Sequence, residues 1–152
     1  MINEIHNEGF SMDYDFLASS IAVELRRAQI LAEKKFESVF GRDLLPGHLT
    51  VLVLIQNNSG STQSAIARAA GLDRSSLVPL LKNFEERGFI TRRKAENDAR
   101  SNVMEITEGG AIFITEHKPK IIELEKFVET KLGKEKYNSL INLLQDFQKI
   151  VE

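Results

Sequence analysis

The sequence predicts a mainly α-helical chain carrying a small β-wing, and three observations predict it. Apolar residues recur at three- and four-residue steps along most of the 152 residues. Residues 62–87 read as two short helices separated by a tight turn at Gly71. After them the pattern changes to two short strand-like runs, at about 89–94 and 102–107, around a polar tip of Asp98-Ala99-Arg100-Ser101. A period of 3.6 interrupted once by a period of 2 is the signature of a helical domain with one hairpin.

Each element has a local reason. Residues 1–12 are weakly patterned and read as a loose arm. From about Tyr14 to Phe40, Leu17, Ile21, Leu25, Ala28, Ala32, Phe36 and Val39 lay an apolar stripe along one long helix, which Gly41 stops. Pro46 is placed to open the next helix, whose nearly continuous apolar run over 47–57 marks it as central and buried. Asn57-Asn58-Ser59-Gly60 is a turn cluster. Thr62 is an N-cap for a helix to Ala70, Gly71 allows the sharp turn, and Asp73 caps a helix to about Arg87 that Gly88 ends. On that helix Leu77, Leu80, Leu81 and Phe84 form one apolar stripe. A third, very short strand is expected near Ser61. Thr107 caps a helix that runs on through Ile112, Ile121, Leu124, Phe127, Val128 and Leu132, with Pro119 as a kink, until Gly133 breaks it. A last helix carries Tyr137, Leu140, Ile141, Leu144, Phe147 and Val151. The order is α-α-α-α-β-β-α-α.

Composition narrows the function. The hydrophobic and charged fractions, 42% and 28%, are those of an ordinary globular domain. Without cysteine there is no disulfide framework and no thiolate metal site. The N-terminus does not read as a signal peptide, and the run 49–55 is far short of the roughly 20 apolar residues a membrane helix needs. A cytoplasmic protein with no membrane partner is therefore expected. His6, His48 and His117 are scattered without metal-ligand spacing, so no metal and no cofactor are expected. The chain lacks G-x-S-x-G, a phosphate loop and G-x-G-x-x-G, which argues against an enzyme.

The charge is uneven. From Arg68 to Arg100 eight basic residues face five acidic ones, a net +3, which leaves −5 elsewhere in a chain of net −2. A helix, a tight turn, a helix with a polar outer face and a basic hairpin make a winged helix-turn-helix, suited to double-stranded DNA. Its second helix fills a major groove, and a wing arginine reaches the minor groove. Arg100 is the leading candidate, because a guanidinium is drawn to the negative potential of a narrow minor groove. Asp98 and Ser101 flank it, and Asp98 braces it or the turn. On the second helix, Arg74 and Lys82 are candidates for phosphate or base contacts, and Ser75 and Ser76 at its start combine capping with contact. Arg92 and Arg93 alternate across a strand, so only one points easily to DNA while the other pairs with an acid. Arg68 is a phosphate-contact candidate.

The ends of the chain, residues 14–40 and 108–152, carry more apolar stripe than the lobe of residues 44–107 can cover. Pairing two copies buries it, so dimerisation helices, a homodimer and a roughly palindromic DNA site are expected.

The ordered set TQSAIARAAGLDRSSLVPLLKNFEERGFITRR followed by NDARSNVMEITEGG resembles the MarR family of bacterial transcription regulators, and the resemblance covers essentially the whole chain. It rests on Asp73 to Ser76 entering the second helix, Glu85 to Ile90 leaving it, Asp98 to Ser101 on the wing, and Thr107 to Gly110 at the strand-to-helix junction. It implies a homodimeric regulator, read here as a repressor, with a small aromatic or anionic ligand held between the dimer helices and the DNA-binding lobe. Tyr14, Phe36 and His48 are its pocket candidates by family geometry. The sequence departs from the family at Pro79, where many members have a polar or basic residue facing the groove. Val78 and Pro79 are then placed to touch thymine methyl groups. The alternative reading is a protein-interaction module that uses the winged helix for protein contacts, with DNA binding incidental.

Overall fold

The computed structural model describes residues 13–41, 44, 46–95 and 98–151, with Pro46, Ala95 and Asp98 to Ser101 described by their backbone. The residues of the expected arm at 1–12 lie outside that set. The elements run α1 (Ile21–Phe40), α2 (Pro46–Asn57), α3 (Gln63–Ala70), α4 (Arg74–Glu86), β1 (Ile90–Ala95), β2 (Asp98–Ile106), α5 (Glu108–Leu132) and α6 (Lys134–Val151), preceded by one 3₁₀ turn at Asp15–Leu17. The order matches the sequence expectation. The chain divides into two compact units, residues 1–46 and 47–152.

In the first unit the long helix begins at Ile21 rather than near Tyr14. The correction has a local cause. Ser19 and Ser20 compete with helical backbone bonding, and Ser20 takes the extended N-cap conformation at φ −77°, ψ 120°. Leu17 therefore falls in the separate 3₁₀ turn, which Asp15 enters at φ 49°. Phe36 is buried and stacks on Phe40, with ring centroids 4.2 Å apart.

The second unit is built around α2. Val51, Leu52 and Ile55 are fully buried and join Ile66 of α3, Leu77, Leu81 and Phe84 of α4, Ile90 and Met104 of the strands, and Ile114 of α5 in one core. The caps are those the sequence marks. Thr62 Oγ1 accepts from the Ala65 amide, and Asp73 Oδ1 accepts from the Ser76 amide at 2.7 Å. Gly71 adopts φ 64°, the left-handed value that lets α3 turn into α4 within three residues.

After α4 the chain reverses at Gly88 and enters an antiparallel ribbon running from Ile90 opposite Ile106 to Lys94 opposite Asn102. Two expectations shift here. The second strand starts at Asp98, so Asp98 to Ser101 belong to β2 and not to a free tip. The register breaks between Lys94 and Ala95, with Ala95 opposite Asp98, so Ala99, Arg100 and Ser101 form a bulge. The polar composition of this stretch reads as a turn because a bulge uses similar residues. The third strand is a single bridge, Thr62 to Val103, one residue from the expected Ser61.

Thr107 fastens the base of the wing. Its Oγ1 donates to the Gly88 carbonyl at 2.6 Å and accepts from the Gly110 amide at 3.1 Å, capping α5. Gly110 is required by packing. A Cβ there would overlap the carbonyl of Phe89 and lie 2.6 Å from Ile106 Cδ1. α5 continues through Pro119 as one element. α6 folds back beside it, and Tyr137 Oη donates to Glu125 at 2.7 Å.

Candidate nucleic-acid interface

The two sides of α4 do different work. Leu77, Leu81 and Phe84 are fully buried, so the helix is fixed in rotation. Arg74, Ser75, Ser76, Val78, Pro79 and Lys82 are left exposed, Val78 with 41% of its surface open. Pro79 sits within the continuous helix, on its outer side, where the missing backbone donor costs least. Among the described residues Lys82 makes only an exposed pair with Glu86 at 3.7 Å, a contact that a phosphate readily replaces.

The start of α4 is ordered by its own cap. Ser75 Oγ donates to Asp73 Oδ1 at 2.7 Å, the same oxygen that receives the Ser76 amide. The Ser75 hydroxyl and these bonds to Ser76 hold the Asp73 carboxyl below its ordinary value of 3.8, so it is ionised at neutral pH.

Arg74 lines a cleft of about 300 Å³ together with Thr62, Gln63, Ser64 and Ala67 of the α3 start, Leu77, and Asn102 of β2. The Thr62–Val103 bridge ties the α3 start to the wing and so brings Asn102 to the cleft. Arg74 makes no ion pair among the described residues. Such a cleft brings a cation, hydroxyls and amides to the junction of helix and wing, the donors that bind a phosphodiester. Gln63, Ser64 and Asn102 were not singled out from the sequence. Their polarity is ordinary when each is taken alone, and only the bridge between α3 and β2 gathers them. Arg68, in the last turn of α3, is exposed and does not line the cleft.

On the wing, the alternation places Arg92 and Arg93 on opposite faces, and both find acids. Arg92 forks onto Glu85 of α4, with Nη2 to Oε2 at 2.7 Å and Nε to Oε1 at 3.1 Å. Arg93 Nε donates to Glu105 Oε1 at 2.7 Å. The alternation predicts that one of them turns to DNA and the other pairs with an acid; here both pair with acids. A strand places successive residues on opposite faces, and here one face meets Glu85 of α4 while the other carries Glu105 of β2. The backbone of Asp98 pairs with Ala95 and that of Arg100 and Ser101 lies in the distal bulge, while the side chains of all three fall outside the described set.

A second cluster lies at the opposite end of α4. Arg87 stacks its guanidinium over the rings of Phe89 and Phe113, 4.5 and 5.4 Å from their centroids. Phe113 in turn stacks on His117 at 4.1 Å. His48 packs edge-on to Phe84, and its Nδ1 is buried with no hydrogen-bond partner among the described residues. Burial, then the charge of Arg87, holds the His48 imidazole below its ordinary value of 6.5, favouring the neutral ring. Of the other pocket candidates, Phe36 is buried and Tyr14 is substantially exposed in the first unit, where Tyr14 lies under the guanidinium of Arg27. Among the described residues no group of three acids or histidines is placed to hold a metal ion, and no helix is long and apolar enough to cross a membrane.

A helix-turn-helix with a saturated inner face, an open outer face, and a ribbon joined to both helices defines a winged-helix DNA-binding protein. The MarR family model matches residues 44–102. A relative from Thauera aromatica, described as a transcriptional regulatory protein for the hcr operon, is 30% identical over 131 residues, 85% of this chain and 79% of that protein. The PcaV transcriptional regulator from Streptomyces coelicolor, solved with its natural ligand, superposes with a TM-score of 0.83 at 17% identity, covering 95% of this chain and all (100%) of that one. The transcriptional repressor CouR bound to a 23-mer DNA duplex superposes with a TM-score of 0.79 at 25% identity, over 91% of this chain and 99% of that one. The same repressor has also been solved with p-coumaroyl-CoA. The chain belongs to the MarR family and is a DNA-binding transcriptional regulator.

Proposed function

We propose that the protein acts in the cytoplasm as a homodimeric repressor on a pseudo-palindromic operator. The observation that carries the reading is the outer face of α4: Arg74, Val78, Pro79 and Lys82 are exposed on a helix whose rotation the core fixes. In this reading α4 enters the major groove. Arg74, Ser75, Ser76 and Lys82 contact phosphates or base edges, and Val78 and Pro79 meet thymine methyl groups. Arg68 contacts the backbone. Arg100, with Asp98 and Ser101 beside it in the distal bulge, reaches the minor groove. The dimer is supported by the exposed apolar residues of the terminal helices, among them Ile122, Phe127, Leu140, Leu143 and Ile150.

A small aromatic acid is the proposed effector. The supporting features in this chain are the Arg87 cation on its platform of phenyl rings and the unpartnered nitrogen of His48, together with Tyr14 and Phe36 as further candidates. Arg87 is a fourth candidate that the sequence reading did not name.

Footprinting on the intergenic DNA beside the gene tests the proposal. Protection of a two-fold site is expected, released by aromatic acids. Arg100→Ala and Arg74→Ala are each expected to weaken operator binding by about 1–3 kcal/mol. Equal, weak binding of the wild type to every duplex would overturn the reading, as would unchanged operator affinity in both variants.

A further inference from the structure

The ion pair between Glu85 and Arg92 joins α4 to the part of the ribbon that runs out beyond the core. The ribbon is only two strands wide, and such a hairpin has little stability of its own. Its base is anchored, because Ile90, Val103 and Met104 are buried. Beyond Arg92 the strand leaves the core, and Thr91 to Lys94 are exposed. Ala95, three residues past Arg92, is about 10 Å further out at the rise of an extended strand. A rotation of about 10° at Arg92 therefore displaces the strand there by about 2 Å. A recognition group has to be held to within about 0.5 Å to be effective.

Glu85 supplies the missing constraint. It stands in the last turn of α4, seven residues before Arg92. The two bonds run from Nε and Nη2 to separate carboxylate oxygens, so the planes of both groups are fixed as well as their separation. The side chains are 31% and 29% exposed, so solvent screens the attraction. What the fork contributes is geometry. It also occupies the Arg92 cation with a carboxylate, which subtracts that cation from the charge available to phosphates.

We propose that Arg92 is a positioning residue: the Glu85–Arg92 fork sets the angle of the wing to the recognition helix and does not itself contact DNA. This rests on the DNA-binding reading above. The two alternatives for Arg92 make opposite predictions. If the arginine is a phosphate contact restrained by Glu85, removing Glu85 releases a cation, strengthens binding and steepens the salt dependence by about one counterion. If the fork positions the wing, removing Glu85 weakens operator binding about five- to tenfold with an unchanged salt slope.

The experiment uses the full chain with three variants, Glu85→Ala, Arg92→Glu, and the exchange Glu85→Arg with Arg92→Glu. Operator affinity is measured across a salt series, and backbone hydrogen exchange in the wing is followed in the absence of DNA. Glu85→Ala is expected to weaken binding at constant salt slope and to speed exchange of β1 and β2 amides beyond Arg92, with α2 and α4 unchanged. The double exchange restores the fork and is expected to return affinity to within about twofold of wild type, where Arg92→Glu alone does not. Tighter binding by Glu85→Ala overturns the proposal, as does unchanged wing exchange, or a folded double variant as weak as Arg92→Glu. If the double variant does not fold, the Glu85→Ala exchange measurement still decides, because it requires no DNA. Absence of specific DNA binding by the wild type would overturn the DNA-binding reading and leave the exchange result standing by itself.

Discussion

α4 and α6 are both amphipathic helices with several large apolar residues, yet the chain treats them oppositely. α4 buries Leu77, Leu81 and Phe84 completely within its own unit and exposes a mainly polar face. α6, five residues longer at 18 residues against 13, buries none of its side chains fully. Leu144 and Phe147 are half-buried with the more exposed Leu140 between them, while Leu143 and Ile150 stand open along the flank of the same stripe, Leu143 at 67% and Ile150 at 81%. An apolar stripe already covered leaves the other face of a helix free for recognition. An apolar stripe still open costs solvation until something covers it. The first situation suits a reader of another molecule, and the second leaves the surface that the proposed homodimer would cover.

Replacing Leu143 by glutamate would break this comparison most severely. Burying one leucine is worth about 1.5–3 kcal/mol, and a two-fold interface counts the position twice. For the proposed homodimer a loss of about 3–6 kcal/mol is expected, more than a hundredfold in its dissociation, before the charge is considered. Light scattering across a dilution series measures it. The melting temperature of the dissociated chain should barely move, since the residue is exposed. An unchanged dimer would show that this line of α6 faces solvent.

Phe84→Ala tests the other side. Phe84 is fully buried in the core, with its ring 5.8 Å from that of His48 and 6.3 Å from that of Phe89. Truncation of such a ring costs about 3–5 kcal/mol. Denaturant unfolding should show that loss. DNA affinity should fall with it, because the core is what holds the outer face of α4 in rotation. A variant that loses stability but keeps full operator affinity at low temperature would separate the core from recognition.

The contrast between the helices also explains which parts were legible in the sequence. Periodicity identified α1, α4, α5 and α6 because each stripe is local to its helix, while α2 was legible from its continuous apolar run and α3 from its cap and the glycine that ends it. Thr62, Asp73 and Thr107 were readable as caps because the chemistry of an N-cap is completed within three residues. The failures are non-local or backbone events. Tyr14 to Leu17 continue the spacing of α1, but Ser19 and Ser20 break the helix before Ile21. Asp98 to Ser101 have the composition of a turn and form a bulge, a choice set by pairing with Lys94 and Ala95 on the other strand. The cleft that joins Gln63 and Ser64 to Asn102 depends on a bridge between residues 41 positions apart, Thr62 and Val103. The partners of Arg92 and Arg93, Glu85 and Glu105, likewise become evident only when strand faces are assigned in three dimensions.

The smallest effect tests how far the polar end of α4 depends on charge. Asp73 is an N-cap that also receives the Ser75 hydroxyl, and its carboxyl is held below 3.8 by those bonds. A carboxyl depressed in the folded state stabilises the fold when ionised. That contribution is complete above the unfolded value and is lost as pH falls through the lower folded one. An Asp73→Asn variant would still cap the helix, because the amide oxygen accepts from the Ser76 amide, but the new side chain does not titrate. The wild type should therefore melt slightly higher than Asp73→Asn at every pH above about 5. The gap should close as the pH falls below 3.8, in step with protonation of Asp73. A gap independent of pH down to about 2 would mean that the carboxylate acts only through the shape it shares with asparagine. The interaction of its charge with the first turn of α4, the end that also carries Arg74, would then contribute nothing measurable to the fold.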